Sequence, residues 1–305
     1  MEHRRILITG ASGLLGLSTA LEACDEHTVI GQVNSRTLNT TQFQTVPADL
    51  LAPGAVQRLL DRAQPDWVIH CAALANLEAC EADPARAREL NTEVPRLLAQ
   101  HVARGGARLL HVSTDAVFDG LRGGYTEQDA PNPLSVYART KLDGERAVAQ
   151  ADPSAIIARV NLFGWSASGK RSLAEFFFNN LSAGRPVKGF TDVYFCPLLV
   201  NHAGQLFLQM LEHRLRGLYH VVSADCLSKY DFGLAIARRF GLDETLIAPA
   251  SVLDGGLTAA RSPKLTLSIH KLLTDLSQPV PSFLHGLERF YTLYQQGYPQ
   301  KLQAF

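Results

Sequence analysis

The opening sixteen residues constrain this chain most. The apolar run Ile6-Leu7-Ile8 breaks into Thr9-Gly10-Ala11-Ser12-Gly13-Leu14-Leu15-Gly16. Glycine at such a turn reaches backbone angles closed to other residues and lets N–H groups approach phosphate oxygens. A helix opening straight after it adds the partial positive charge of its N-terminus. The G-x-x-G-x-x-G spacing is weak by itself, but between a strand and a helix it marks a dinucleotide-binding unit. Gly10, Ser12, Gly13, Leu14, Leu15 and Gly16 are therefore expected at a cofactor pyrophosphate.

The chain then alternates. Strands are expected at Arg5–Thr9, Thr28–Val33, Trp67–His70, 108–113 and 155–159, each an apolar run. Helices are expected at Leu14–Ala23, 53–63, 84–104 and from Asn132-Pro133 to about Ala149. In 84–104, Ala87, Leu90, Val94, Leu97 and Leu98 recur at helical spacing, and Gly105-Gly106 ends the element. Continuous apolar strands separated by helices predict an α/β, Rossmann-type doubly wound parallel sheet. Beyond Gly164 the alternation loosens. Helices at 172–181, 201–214, Lys229–Phe240 and 279–295, with a strand at 218–222, suggest a smaller C-terminal substrate lobe. The expected division is a dinucleotide-binding domain over 1–164, to which part of 193–222 returns, and a substrate lobe over 165–305.

Charge excludes some partners. With 29 basic and 29 acidic residues the formal net charge is zero, which gives no reason to expect nucleic acid or an anionic membrane. The same neutrality is compatible with a homodimer. No apolar stretch approaches a membrane span, and no signal-peptide core follows the N-terminus. Five cysteines, an odd number with no C-x-x-C, predict reduced thiols in a cytoplasmic protein rather than a disulfide framework. Ten histidines form no H-E-x-x-H pattern, so no metal is expected.

Cofactor type is set after the second strand, where an acid roughly 20 residues past the glycines would hold the adenosine ribose. Here stand Asn34, Ser35 and Arg36. A guanidinium with no carboxylate favours a 2′-phosphate, hence NADPH, with NADH as the alternative. Asp49 and Leu50 are placed beside the adenine. Cys71-Ala72-Ala73 offers small side chains where backbone passes close to a cofactor, and Asn91 lies mid-helix among apolar neighbours.

Tyr137 and Lys141 stand one helical turn apart, following Ser113-Thr114-Asp115 at a strand end. An ammonium near a phenol lowers its ordinary pKa of ~10. Such a phenol can protonate a carbonyl oxygen while hydride reaches the carbon. Lys141 can also hold the nicotinamide ribose, and Thr114 can hydrogen-bond the same carbonyl oxygen.

Together these residues resemble the extended short-chain dehydrogenase/reductase family, and within it the dTDP-4-dehydrorhamnose reductase group. The resemblance runs through residues 9–16, Pro65-Asp66-Trp67-Val68-Ile69, Leu90-Asn91 and Val112-Ser113-Thr114-Asp115-Ala116-Val117-Phe118-Asp119-Gly120. It continues in Tyr125-Thr126-Glu127, Pro131-Asn132-Pro133 and Tyr137-Ala138-Arg139-Thr140-Lys141-Leu142-Asp143-Gly144-Glu145. Later echoes are Gly217-Leu218-Tyr219-His220 and Arg261-Ser262-Pro263-Lys264.

The resemblance implies a catalytic trio of Thr114, Tyr137 and Lys141, and reduction of the C4 ketone of a nucleotide-linked 6-deoxy sugar, as in dTDP-rhamnose biosynthesis. The substrate side is expected at Ser113, Asp115, Asn161, Arg261 and Lys264. Two departures fall near the expected sugar site: Ala116 where the family usually has Tyr, and Asn161-Leu162-Phe163-Gly164-Trp165 after the fifth strand. The same architecture resembles the regulatory β subunit of methionine adenosyltransferase, a non-catalytic dinucleotide binder. An epimerase or dehydratase that retains NAD is the third reading.

Overall fold

A computed structural model describes residues 2–254 and 262–305. Its centre is a parallel sheet of β1 (Arg5–Thr9), β2 (Thr28–Val33), β3 (Gln44–Pro47), β4 (Trp67–His70), β5 (Arg108–Thr114), β6 (Ile156–Val160) and the strand Gly217–Val221. Spatially the strand Gly217–Val221 comes first, then β6, β5, β4, β1, β2 and β3. Strand order reverses between β1 and β4, so a crevice opens there at the carboxyl ends.

Period-two burial explains why the strands read as unbroken apolar runs. In β1, Ile6 and Ile8 join one core layer and Leu7 the opposite one, which it shares with Ile30, Val68, Leu109 and Ile157. Both faces are covered by helices: α1 (Leu14–Ala23), α2 (Ala55–Ala63), α3 (Leu77–Ala82), α4 (Pro84–Arg88), α5 (Val94–Gly105) and α6 (Val136–Ala151). Residues after β6 add α7 (Leu173–Ser182), α8 (Val200–Glu212) and small sheets, including one with Tyr194–Phe195 between Leu227–Ser228 and Lys264–Leu265. Among the described residues no helix is long and apolar enough to cross a membrane.

Several expectations are corrected. The single helix over 84–104 is two helices joined by one π-helical turn, Glu89–Glu93. The helix expected from Asn132-Pro133 begins at Val136, because Ser135 is its cap and accepts the Ala138 N–H at 3.2 Å. Asn132 instead donates to Asp119 at 3.0 Å. Helices α3 and His270–Leu276 were not anticipated.

The expectation of reduced thiols throughout also fails. Cys196 and Cys226 are joined as a disulfide across 30 residues of sequence. Antiparallel pairing of Phe195 with Leu227 places the two cysteines opposite each other, a consequence of strand register rather than of spacing. Cys24, Cys71 and Cys80 remain thiols.

Candidate active site

Two clefts meet the carboxyl edge of the sheet. The first, about 250 Å³, opens between β1 and β4. Gly10 has φ +67°, and a Cβ there would lie 2.8 Å from the Ala72 Cα, so only glycine lets the β1 turn pass the β4 exit. The Gly13 N–H donates to the Gly10 carbonyl at 2.9 Å. A Cβ on Gly16 would strike that same carbonyl. Helix α1 starts with no side-chain cap, leaving its first N–H groups free for an anion.

Gly10, Ser12, Gly13, Asn34, Ser35, Arg36, Asp49, Leu50, Cys71, Ala72 and Ala73 all line this cleft. Leu14, Leu15 and Gly16 lie behind its wall in α1. Asn91 sits deeper. Its side chain accepts from Leu74 N at 2.9 Å, donates to Leu74 O and to Thr140 Oγ1 at 3.1 Å, and so ties the loop after β4 to α6. Gly144 on α6 faces this π-turn so closely that a Cβ would meet the Asn91 carbonyl.

Five lining residues escaped the sequence reading as cofactor contacts: Gln32, Leu51, Arg86, Leu90 and Arg171. Buried Gln32 accepts from Gly10 N at 2.9 Å and donates to Ala48 O at 2.7 Å, pinning the glycine turn to the exit of β3. Arg86 and Arg171 also face the cleft. Only the periodic position of Gln32 inside an apolar strand could have signalled its role.

The chemistry-bearing side chains stand at the exits of β5 and the start of α6. Thr114, the last residue of β5, accepts the Ala116 N–H at 3.2 Å and donates to Asp115 at 3.2 Å. Burial pushes the Tyr137 phenol up to about 12; the nearby Thr114 hydroxyl opposes this and the Asp115 charge adds to it. The expectation that Lys141 lowers the phenol is thus corrected. The Lys141 ammonium points under the helix and donates to the Val112 carbonyl at 2.6 Å. Burial lowers it to about 8, against the opposing pull of Glu145 and Cys71. Its electrostatic partner Cys71 lines the dinucleotide cleft, so Lys141 and the glycine turn share one side of the molecule.

Asp115 is buried, which drives it up to about 6 despite bonds from Asn161 and Thr114 and the charge of Lys229. Asn161 and Ala116 line the second cleft, about 220 Å³, together with Ser135, Tyr194 and Lys229. Ser113 turns elsewhere: its hydroxyl donates to buried Glu145 at 2.5 Å, and Glu145 is paired with Arg159. Lys264 is exposed beside Gly123 and does not line the cleft; its neighbours Ser262 and Leu265 do. Arg261 lies outside the described residues. Trp165, expected near the sugar, is packed in the interior, stacked 4.0 Å from Phe290 and donating to the Phe290 carbonyl at 2.9 Å.

Comparison with known proteins agrees with this fold. The family model described as the RmlD substrate binding domain matches residues 4–296. A probable low-salt glycan biosynthesis reductase of Haloferax volcanii is 34% identical over 89% of this chain and 93% of its own length. Methionine adenosyltransferase 2 subunit beta of Mus musculus is 32% identical over 86% of this chain and 79% of its own. The crystal structure of dTDP-4-dehydrorhamnose reductase from Bacillus anthracis, in complex with NADP, superposes with a TM-score of 0.83 at 25% identity, covering 95% of this chain and 99% of that one. With its sheet order, glycine turn and Tyr/Lys helix, the chain belongs to the RmlD substrate-binding-domain family of extended short-chain dehydrogenases/reductases.

Proposed function

We propose that this chain is an NADPH-dependent reductase acting on the ketone of a nucleotide-linked sugar, of dTDP-4-dehydrorhamnose reductase type. The observation that carries the reading is the docking of α6, which bears Tyr137 and Lys141, on β5, where the Lys141 ammonium donates to the Val112 carbonyl at 2.6 Å, two residues before Thr114 at the strand exit.

The cleft fits a pyridine dinucleotide because a Cβ at Gly10 or Gly16 would fill the cradle and α1 opens uncapped. Ser12, Gly13 and the first turn of α1 would hold the pyrophosphate, Asn34 to Arg36 the adenosine ribose, and Leu50, Ala72 and Ala73 would flank the adenine. When bound, such a cofactor supplies the hydride.

The protein's own groups supply the proton and the orientation. Tyr137, raised to about 12, keeps its Oη proton throughout the neutral range, which is the form a ketone reduction needs. That proton passes to the carbonyl oxygen as negative charge develops there. The Thr114 hydroxyl hydrogen-bonds the same oxygen and orients it. Lys141 would hold the nicotinamide ribose; its ammonium, lowered to about 8 by burial, is oriented by its bond to the Val112 carbonyl. The second cleft, with Asn161, Ser135 and Lys229, takes the sugar nucleotide, and residues 165–305 form most of its grip.

The test mixes protein, NADPH and a panel of nucleotide-linked 4-keto sugars and follows the absorbance of reduced nicotinamide. Oxidation with matching ketone loss is expected. The similarity to methionine adenosyltransferase β subunits favours a second reading, a cofactor-binding regulatory subunit. NADPH binding without oxidation across the panel would select that reading instead.

A further inference from the structure

The dinucleotide cleft is walled partly by chain that does not belong to the glycine turn or its neighbouring strands. Between Trp165 and α7 runs the loop 166–171, and Arg171 on it lines the cleft with Arg36 and Arg86. The loop is held by a carboxylate buried in the protein. Glu175, fully buried, accepts from Ser166 N at 2.6 Å, Arg171 N at 2.8 Å and Ser172 N at 3.1 Å, and from Ser166 Oγ at 2.9 Å. Asn179 adds a bond to the Gly169 carbonyl at 2.7 Å. A buried carboxylate satisfied by backbone N–H groups fixes the loop, since freeing them would leave a charge unpaired in the interior.

This loop reaches the end of β2. Arg36 Nη2 lies 3.5 Å from the Ala167 carbonyl. The end of β2 is where the adenosine ribose of a dinucleotide rests in a doubly wound sheet. The charge there is unbalanced: Arg36, Arg86 and Arg171 face one lining carboxylate, Asp49, which already accepts the Leu51 N–H at 3.1 Å. Among the described residues no acid forms an ion pair with any of the three arginines. Two excess positive charges in the cleft that takes in the end of β2 suit a phosphate monoester, which carries close to two negative charges at neutral pH.

We propose that Arg171, presented by the Glu175-anchored loop, binds the 2′-phosphate of NADPH together with Arg36 and so sets the preference for the phosphorylated cofactor. This deepens the dinucleotide reading above and rests on it. Glu175 is a positioning residue in this account.

The test is a titration of the protein with NADPH and separately with NADH, without sugar substrate, read by fluorescence of the reduced nicotinamide. For Arg171→Ala the dissociation constant for NADPH is expected to rise about 10- to 100-fold, the loss of a charge-assisted phosphate contact, while that for NADH changes little. Arg171→Lys should recover part of the NADPH affinity. Glu175→Gln, which puts an amide donor against the loop N–H groups, should weaken NADPH more than NADH. An equal loss for both cofactors in Arg171→Ala, or no loss, overturns the proposal. Normal NADPH binding with no sugar reduction would defeat the reductase reading and leave this one standing. A wild-type protein that binds neither cofactor would defeat both.

Discussion

The ammonium of Lys141 is bonded to the backbone carbonyl of Val112, two residues before Thr114 at the end of β5. One strand therefore holds both ends of the proposed machinery, and α6 is registered on β5 by its own lysine. The consequence for ionisation is measurable.

Burial lowers Lys141 from its ordinary 10.5 to about 8. Between those values the unfolded chain binds more protons at this residue than the folded one, so folding stability rises with pH. The contribution is complete above 10.5 and is lost as pH falls through 8. Denaturant unfolding of wild type and Lys141→Met at pH 8 and above should diverge, wild type gaining up to about 3 kcal/mol more across the window. Parallel curves would show that the amine is not held in a desolvated site.

A second consequence concerns the support under Thr114. Glu145 receives Arg159 Nε at 2.9 Å and Nη2 at 2.7 Å, takes the Ser113 hydroxyl, and is buried with its partner. Arg159 also lies over the Phe118 ring at 4.9 Å. Glu145→Ala strands a buried guanidinium and should cost about 3–5 kcal/mol, measured by denaturant unfolding. The pair Glu145→Leu with Arg159→Met should recover most of that loss. A single variant as stable as wild type would contradict the buried pair.

The Cys196–Cys226 bridge closes a 30-residue span beside the second cleft, whose wall includes Tyr194 and Phe195. Peptide mapping without reductant should recover the linked peptides. Dithiothreitol or Cys226→Ser should lower stability by about 2–4 kcal/mol, as expected for a loop of this length. Two alkylatable thiols at these positions in the untreated protein would refute the bridge.

The sheet was legible because each strand is buried on both faces and therefore reads as an apolar run, and because glycines mark the β1 exit. Its edge strand β3 was not, since Gln44–Pro47 is half exposed and carries only one buried residue, Val46. The Tyr137, Lys141 and Thr114 positions were visible as a pattern of residue types, but their ionisation was not. Helical spacing alone placed Lys141 beside the phenol, whereas the fold turns it toward Val112. Ser113 looked like a ligand group because it ends a strand, yet alternation along β5 turns its hydroxyl to Glu145, while that of Thr114 meets Asp115 and the Ala116 N–H. Arg171, Gln32 and the disulfide depend on chain segments brought together over long separations, and no local signal encodes them. Trp165 misled for the same reason, its neighbour Phe290 being 125 residues away.

The most direct measurement is the rate of NADPH oxidation by Tyr137→Phe with the keto sugar nucleotide that wild type turns over best. The account predicts a fall of about 10²- to 10⁴-fold, the contribution of a positioned proton donor, with the NADPH dissociation constant unchanged. Turnover equal to wild type would contradict it.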